Sequence, residues 1–220
     1  MQARPLLLGH RGSRSLRSIP ENTVRAFDLA LQHGCDGFEF DVRCTRDGQP
    51  IICHDPRWQG NLIAESKRAA LRQLVTLEDV LSRYSTRAFL DIELKVPGLT
   101  ESGLRSLSQH RPRRGFVISS FLPDVLMDIR ERDDSIPLGI IFERRVPRWQ
   151  GLPVDYLMAE KSLVTRSLLE EAHAAGKKLL AWTVNDKKAM LRLARWGVDG
   201  IISDKTKLLV ATLRGAQPGA

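Results

Sequence analysis

The chain has 220 residues, 42% of them hydrophobic and 27% charged, with a formal net charge of +8. This is enough apolar material for one large domain, yet no apolar run approaches the roughly 18 residues of a membrane span. Three cysteines (Cys35, Cys44, Cys53) without paired spacing argue against a disulfide framework and a cysteine-rich zinc site.

The opening leucine run is too short for a signal peptide, so a cytoplasmic location is expected. The 34 Lys and Arg are dispersed without an aromatic-interleaved basic motif. They read as a solvated basic surface that could attract an anionic small substrate, and no nucleic-acid partner is expected.

Read in order, the chain alternates short β runs with amphipathic stretches. A strand over Pro5–His10 leads to a helix over Asn22–His33, which stops before Gly34. A strand over Gly37–Val42 follows, and later a helix over Thr76–Tyr84 that opens on a capping-box pattern. Strands over Ala88–Leu94 and Phe116–Ser120, a helix over Pro123–Arg132, and strands over Leu138–Phe142 and Asp155–Ala159 come next. A helix over Thr165–Ala175, a strand over Lys178–Thr183, a helix over Lys187–Arg195 and a strand over Gly200–Ser203 complete the series. Several β runs are almost continuously apolar, as in parallel strands covered on both faces. Eight such strands predict an α/β fold, a (β/α)8 TIM-type barrel with shortened loops; an open doubly wound sheet is the competing architecture. Residues 1–213 form a single domain in this reading and residues 214–220 a frayed tail.

The segment Gly37–Asp55, "GFEFDVRCTRDGQPIICHD", breaks the pattern. Too few residues separate Val42 from Pro50 for a parallel crossover, and Asp47-Gly48 is a strong hairpin signal. The expectation is an antiparallel hairpin extending strand two. With Asp47-Gly48 as turn centre, Asp41 would stand opposite His54. Glu39 and Asp41, two residues apart, share a face.

Polar residues gather at the predicted strand C-termini, the functional end of such a barrel. They are His10-Arg11-Gly12, Glu39 and Asp41 with His54, Glu93-Leu94-Lys95, Trp182-Thr183-Val184-Asn185 and Ser203-Asp204. Three converging carboxylates need a cation, and Glu39, Asp41 and Glu93 suit one hard divalent ion, Mg²⁺ or Ca²⁺, with Mn²⁺ also fitting. Arg11 and Lys95 are fixed charges for a phosphate. His10 and His54 can act as general acid and base. Trp182 is expected to be half core and half pocket wall. Asn22 reads as an N-cap, Asp204 as the cap of a following helix, and Asp55 as a partner for His54. His33, His110 and His173 read as surface residues without partners.

With Pro20-Glu21-Asn22-Thr23 and the closing Gly197-Val198-Asp199-Gly200-Ile201-Ile202-Ser203-Asp204, these motifs together resemble the glycerophosphodiester phosphodiesterase family over nearly the whole chain. The resemblance implies a TIM-type barrel and metal-dependent hydrolysis of glycerophosphodiesters to an alcohol and sn-glycerol 3-phosphate. It implies His10 and His54 as the acid/base pair, Arg11 and Lys95 at the phosphate, and Glu39, Asp41 and Glu93 on the metal. Which histidine is the base stays open, as do the leaving alcohol, a cyclic phosphate intermediate and the oligomeric state. The stretch "PRWQGNLIAESKRAALRQLV" after Asp55 departs from the family's pattern, which leaves head-group specificity open; Trp58 could supply contacts there. Two other readings are a lysophospholipase D-like enzyme acting on lipid phosphodiesters at a membrane surface, without stable insertion, and a non-catalytic phosphate-binding barrel.

Overall fold

A computed structural model describes residues 4–16 and 18–215. The eight expected barrel strands are present: β1 (Leu6–Gly9), β2 (Gly37–Cys44), β6 (Phe89–Leu94), β7 (Phe116–Ser120), β8 (Leu138–Phe142), β9 (Tyr156–Glu160), β10 (Lys178–Trp182) and β11 (Gly200–Ser203). All pair in parallel with their neighbours, and β1 closes the ring by pairing with both β11 and β2. The fold is therefore a closed β/α barrel, not an open sheet. Short antiparallel strands β3 (Pro50–Ile52), β4 (Arg57–Trp58) and β5 (Asn61–Leu62) lie between β2 and β6.

The helices are α1 (Val24–Gln32), α2 (Leu77–Tyr84), α3 (Thr100–Gln109), α4 (Pro123–Arg132), α5 (Arg166–Ala174), α6 (Lys187–Trp196) and α7 (Thr206–Arg214). The sequence reading did not single out α3, whose polar stretch buries only Thr100, Gly103 and Leu107. The described β8–β9 connection has no helix. There, buried Trp149 and Val154 fill the layer a helix would occupy. The expected frayed tail begins at Arg214, which instead ends α7 and donates to Asp36; residues 216–220 lie outside the described residues. No described helix is long and apolar enough to cross a membrane.

Strand alternation divides the core in two. Phe38, Phe40 and Val42 on β2 and Leu90, Ile92 and Leu94 on β6 point outward to the helices. Leu8, Phe89, Val117, Ile141, Tyr156, Met158, Leu180 and Ile202 fill the barrel interior. The inward positions that remain on β2 and β6 are Gly37, Glu39 and Asp41, and Asp91 and Glu93. Gly37 is there because a Cβ would stand 1.8 Å from the Phe89 carbonyl oxygen.

The hairpin forms, but one residue out of the expected register. Val42 pairs with Ile52, Arg43 with Ile51 and Cys44 with Pro50, so Asp41 stands opposite Cys53, whose N–H donates to the Asp41 carbonyl. The cause is the turn. Gly48 N–H donates to Thr45 O and Thr45 N–H to Gln49 O, a three-residue loop with Gly48 left-handed at φ +75° instead of a two-residue turn. The stretch after Asp55 folds beneath this hairpin, burying Ile63, Leu71 and Leu74 against Ile51 and Cys53.

Candidate active site

The pocket opens at the C-terminal end of the barrel, a cleft of about 340 Å³. One half is charged, lined by His10, Arg11, Glu39, His54, Asp91, Glu93 and Lys95; the other is apolar, with Phe121, Ile141, Met158, Trp182 and Ile202 plus Glu143 at the edge. Seven of the eight sequence-predicted site residues line the cleft. Asp41, fully buried, sits just behind the lining.

β2 and β6 run in register, Glu39 beside Asp91 and Asp41 beside Glu93, which places four carboxylates in two adjacent rungs. One oxygen each from Glu39, Asp41 and Glu93 lies within 4.8 Å of the other two. Glu39 Oε1, Asp41 Oδ1 and Glu93 Oε1 are buried and accept no hydrogen bond of good geometry, although Lys95 Nζ stands 3.3 Å from Asp41 Oδ1 and 2.6 Å from Glu93 Oε1. Three buried anionic oxygens this close together, with only Lys95 beside two of them, are what a hard cation would satisfy. The buried acidic triad is suited to a metal.

Electrostatics separates the three. Burial, reinforced by Asp41 and Glu93, pushes the Glu39 carboxyl well above its ordinary range. Burial and the neighbouring Asp41 lift Glu93 to about 7. Burial also opposes ionisation of Asp41. The Arg11 guanidinium, the Lys95 ammonium and a hydrogen bond from Asn22 outweigh it and hold Asp41 low.

Arg11 reaches Asp41 through Nε at 3.2 Å and Glu21 through Nη1 at 2.7 Å, while its backbone N–H donates to Glu39 Oε2 at 2.9 Å. That last contact needs a left-handed backbone, φ +52°, a conformation that costs a side-chain-bearing residue on the order of 1 kcal/mol.

The two imidazoles have separate supports. His10 Nδ1 lies 2.8 Å from Asp204 Oδ1, and its Nε2 stands 3.9 Å from Glu39 Oε2. His54 Nδ1 lies 2.8 Å from Asp55 Oδ1, as expected of Asp55. His54 reaches the pocket although the register differs by one residue, because the chain leaves β3 at Ile52 and turns before it.

Several assignments change. Asp204 does not cap α7, whose N-cap position is Lys205 and whose first-turn N–H groups donate to no capping side chain. It orients His10 and accepts from Asn185 Nδ2 at 2.6 Å. Burial opposes its ionisation, but the hydrogen bond and charge of His10, with Asn185 and Arg14, bring it down to about 2. Asn22 is not the N-cap of α1; Thr23 is. Asn22 is buried and donates to Asp41 Oδ2 at 2.8 Å. Two histidines read as partnerless have partners, Thr206 for His33 and Asp199 for His173. Trp58 packs beside the hairpin and does not line the main cleft.

Asp91 escaped the sequence reading. It is buried, accepts from Ser119 Oγ at 2.5 Å, and burial lifts it to about 7. Its parity with Glu93 was the available signal.

The family model described as "Glycerophosphoryl diester phosphodiesterase family" matches residues 10–83 and 58–208. A glycerophosphodiester phosphodiesterase of Caldanaerobacter subterraneus is 28% identical over 242 residues, covering 95% of this chain and 98% of that protein. Among solved structures, an Oleispira antarctica phosphodiesterase in complex with the product sn-glycerol-3-phosphate superposes with a TM-score of 0.85 at 28% identity, covering 96% of this chain and 97% of that one. A glycerophosphodiester phosphodiesterase from Parabacteroides distasonis shares the fold, with a TM-score of 0.87 at 21% identity over 99% of this chain and 100% of that one. A matching family model over most of the chain, on a closed barrel with this charged mouth, leads to one conclusion: the chain belongs to the glycerophosphoryl diester phosphodiesterase family.

Proposed function

We propose that the chain hydrolyses glycerophosphodiesters to an alcohol and sn-glycerol 3-phosphate, with His10 and His54 as the acid/base pair. The observation that carries this reading is the charged half of the cleft, where two separately supported imidazoles flank three clustered buried carboxylates and two cations.

In this reading Glu39, Asp41 and Glu93 hold one divalent cation, Mg²⁺ or Ca²⁺, with Mn²⁺ also fitting the oxygen donors. Bound there, such an ion would supply charge withdrawal from a phosphoryl oxygen. Arg11 and Lys95 bind the phosphate's non-bridging oxygens and orient phosphorus for attack. Asp204 fixes the His10 ring with Nε2 toward the pocket, and Asp55 does the same for His54. One imidazole takes the proton of the attacking oxygen while the other returns a proton to the leaving alkoxide. The apolar half, where Phe121 and Trp182 meet edge to face at 5.7 Å, excludes water beside the ester. A cytoplasmic location accords with three free cysteines.

The decisive experiment measures release of glycerol 3-phosphate from a panel of glycerophosphodiesters, with and without EDTA. Turnover unchanged by EDTA would sink the metal assignment, and no turnover of any member would sink the substrate class. Exposed apolar side chains beside the mouth favour a second reading, lipid phosphodiesters; release of lysophosphatidic acid from lysophospholipids in the same panel decides it.

A further inference from the structure

Among the described residues, five large hydrophobic side chains are exposed: Leu16 (49%), Phe121 (37%), Leu122 (39%), Met127 (39%) and Val146 (42%). Leu16 lies in the loop after β1, Phe121 and Leu122 link β7 to α4, and Val146 lies in the β8–β9 connection. Met127 is in the second turn of α4, whose first turn follows that same β7 link. Four of these positions, Leu16, Phe121, Leu122 and Val146, belong to the C-terminal end of the barrel, where the pocket opens; Met127 lies midway along α4. Single exposed apolar residues are ordinary on any protein. Four of five on one end is a distribution that calls for a partner surface.

Cations share the same rim. Arg144, Arg145 and Arg148 follow β8, and Lys187 and Lys188 open α6; all are exposed. Among the described residues only Arg144 has an acid in ion-pair range, Glu143 at 3.7 Å. The other exposed acids close by, Asp124 and Asp186, begin α4 and cap α6. Three acids, Glu143, Asp124 and Asp186, against five cations leave this sector of the rim positive.

The apolar tips come from three separate loops and a helix, so they make no continuous flat face for a folded partner. Aliphatic tips offer little to nucleic acid, whose recognition rests on aromatic stacking and phosphate contacts, and Leu122, Met127 and Val146 cannot stack. Separate apolar tips between unpaired cations match a deformable anionic interface, the tips entering the acyl boundary and the cations meeting head-group phosphates.

We propose that the pocket face docks on an anionic phospholipid surface, presenting the cleft to molecules held there. The proposal rests on the reading of the cleft as the active site only for its purpose. Docking itself is independent of turnover.

The test is co-sedimentation of the full chain with vesicles of phosphatidylcholine alone and of phosphatidylcholine with about a third phosphatidylglycerol. Binding is expected to the anionic vesicles, weakening as salt is raised. Arg144→Glu/Arg145→Glu and Leu122→Ser/Val146→Asp change surface positions outside the cleft. Each pair should weaken vesicle binding about tenfold or more. Both should leave turnover of water-soluble glycerophosphocholine unchanged, which also reports that they fold. Absence of glycerophosphocholine turnover would count against the proposed function and leave the vesicle result standing. No sedimentation, equal binding to neutral vesicles, full binding by either variant, or retention on DNA without vesicle binding would each overturn docking.

Discussion

His10 and Asp204 are joined through Nδ1 and Oδ1 at 2.8 Å across 194 residues of sequence. The contact ties the loop after the first barrel strand to the residue after the last, so ring closure and imidazole orientation are one event. Asp204→Asn keeps the shape but no longer requires a proton on Nδ1. Turnover should fall roughly 10²-fold with KM nearly unchanged. A KM rise with unchanged kcat would show that Asp204 serves binding instead.

The same carboxyl carries a pH signature. It is held at about 2, against 3.8 for an ordinary aspartate, so its stabilisation is fully present above pH 3.8 and lost as pH falls through about 2. Because the group is partly exposed, the contribution is on the order of 1–2 kcal/mol. Asp204→Asn should therefore be less stable than the wild type at pH 6, with the gap narrowing toward pH 2. Urea melts at both pH values measure it, and a gap independent of pH would contradict the assignment.

Glu39 is a buried carboxylate among like charges. Glu39→Gln removes repulsion and desolvation, so the metal-free variant should be more stable than the metal-free wild type by about 1 kcal/mol, while hydrolysis drops roughly 10³-fold. Adding Mg²⁺ or Ca²⁺ should raise the wild-type Tm and not that of the variant. Equal metal-induced shifts in both proteins would remove Glu39 from the ligand set.

The two imidazoles can be told apart by leaving group. His10→Ala and His54→Ala should each lose roughly 10²–10⁴-fold on glycerophosphocholine. On a p-nitrophenyl phosphodiester, whose leaving group needs no proton, the defect of the acid variant should shrink and that of the base variant persist. Identical defects on both substrates would refute a division of labour.

Gly37→Ala should be among the most damaging single-methyl changes in the chain. Its Cβ would meet the Phe89 carbonyl at 1.8 Å, so β2 and β6 cannot keep their register. A loss of roughly 3 kcal/mol or more is expected, read as a lowered denaturation midpoint. A near-wild-type midpoint would mean that the rungs carrying Glu39 and Glu93 are freer to shift than their packing implies.

The barrel was legible because each strand announces itself locally: LGIIF and KLLAW are apolar runs bounded by turns, and their bounds differ little from those observed. Most of the charged half was legible for a similar reason, since His10, Arg11, His54, Glu93 and Lys95 sit at or just past strand ends, while Asp91, deeper in β6, escaped. Whatever depended on the third dimension was less so. Asn22 and Asp204 both occupy positions where a capping role is locally sufficient, and only folding brings them to Asp41 and His10. The hairpin register turned on whether Gly48 ends a two-residue or a three-residue turn, which Asp-Gly alone does not decide. The apolar half of the cleft came from Phe121, Ile141, Met158 and Ile202, which in sequence are indistinguishable from core.

The helix missing between β8 and β9 leaves Trp149 as the principal plug of that sector of the outer layer. A loop held by Trp149, Val154 and a few hydrogen bonds opens at lower free energy than a helix docked along its length, so amide exchange should be fastest there among the barrel's crossovers. That loop carries Glu143, at the edge of the apolar half, and Val146, while the metal-suited carboxylates hang from β2 and β6 on the far side of the ring. The protein thus separates a yielding wall, able to widen for bulkier alcohols, from a stiff one where charge must be placed to within tenths of an ångström.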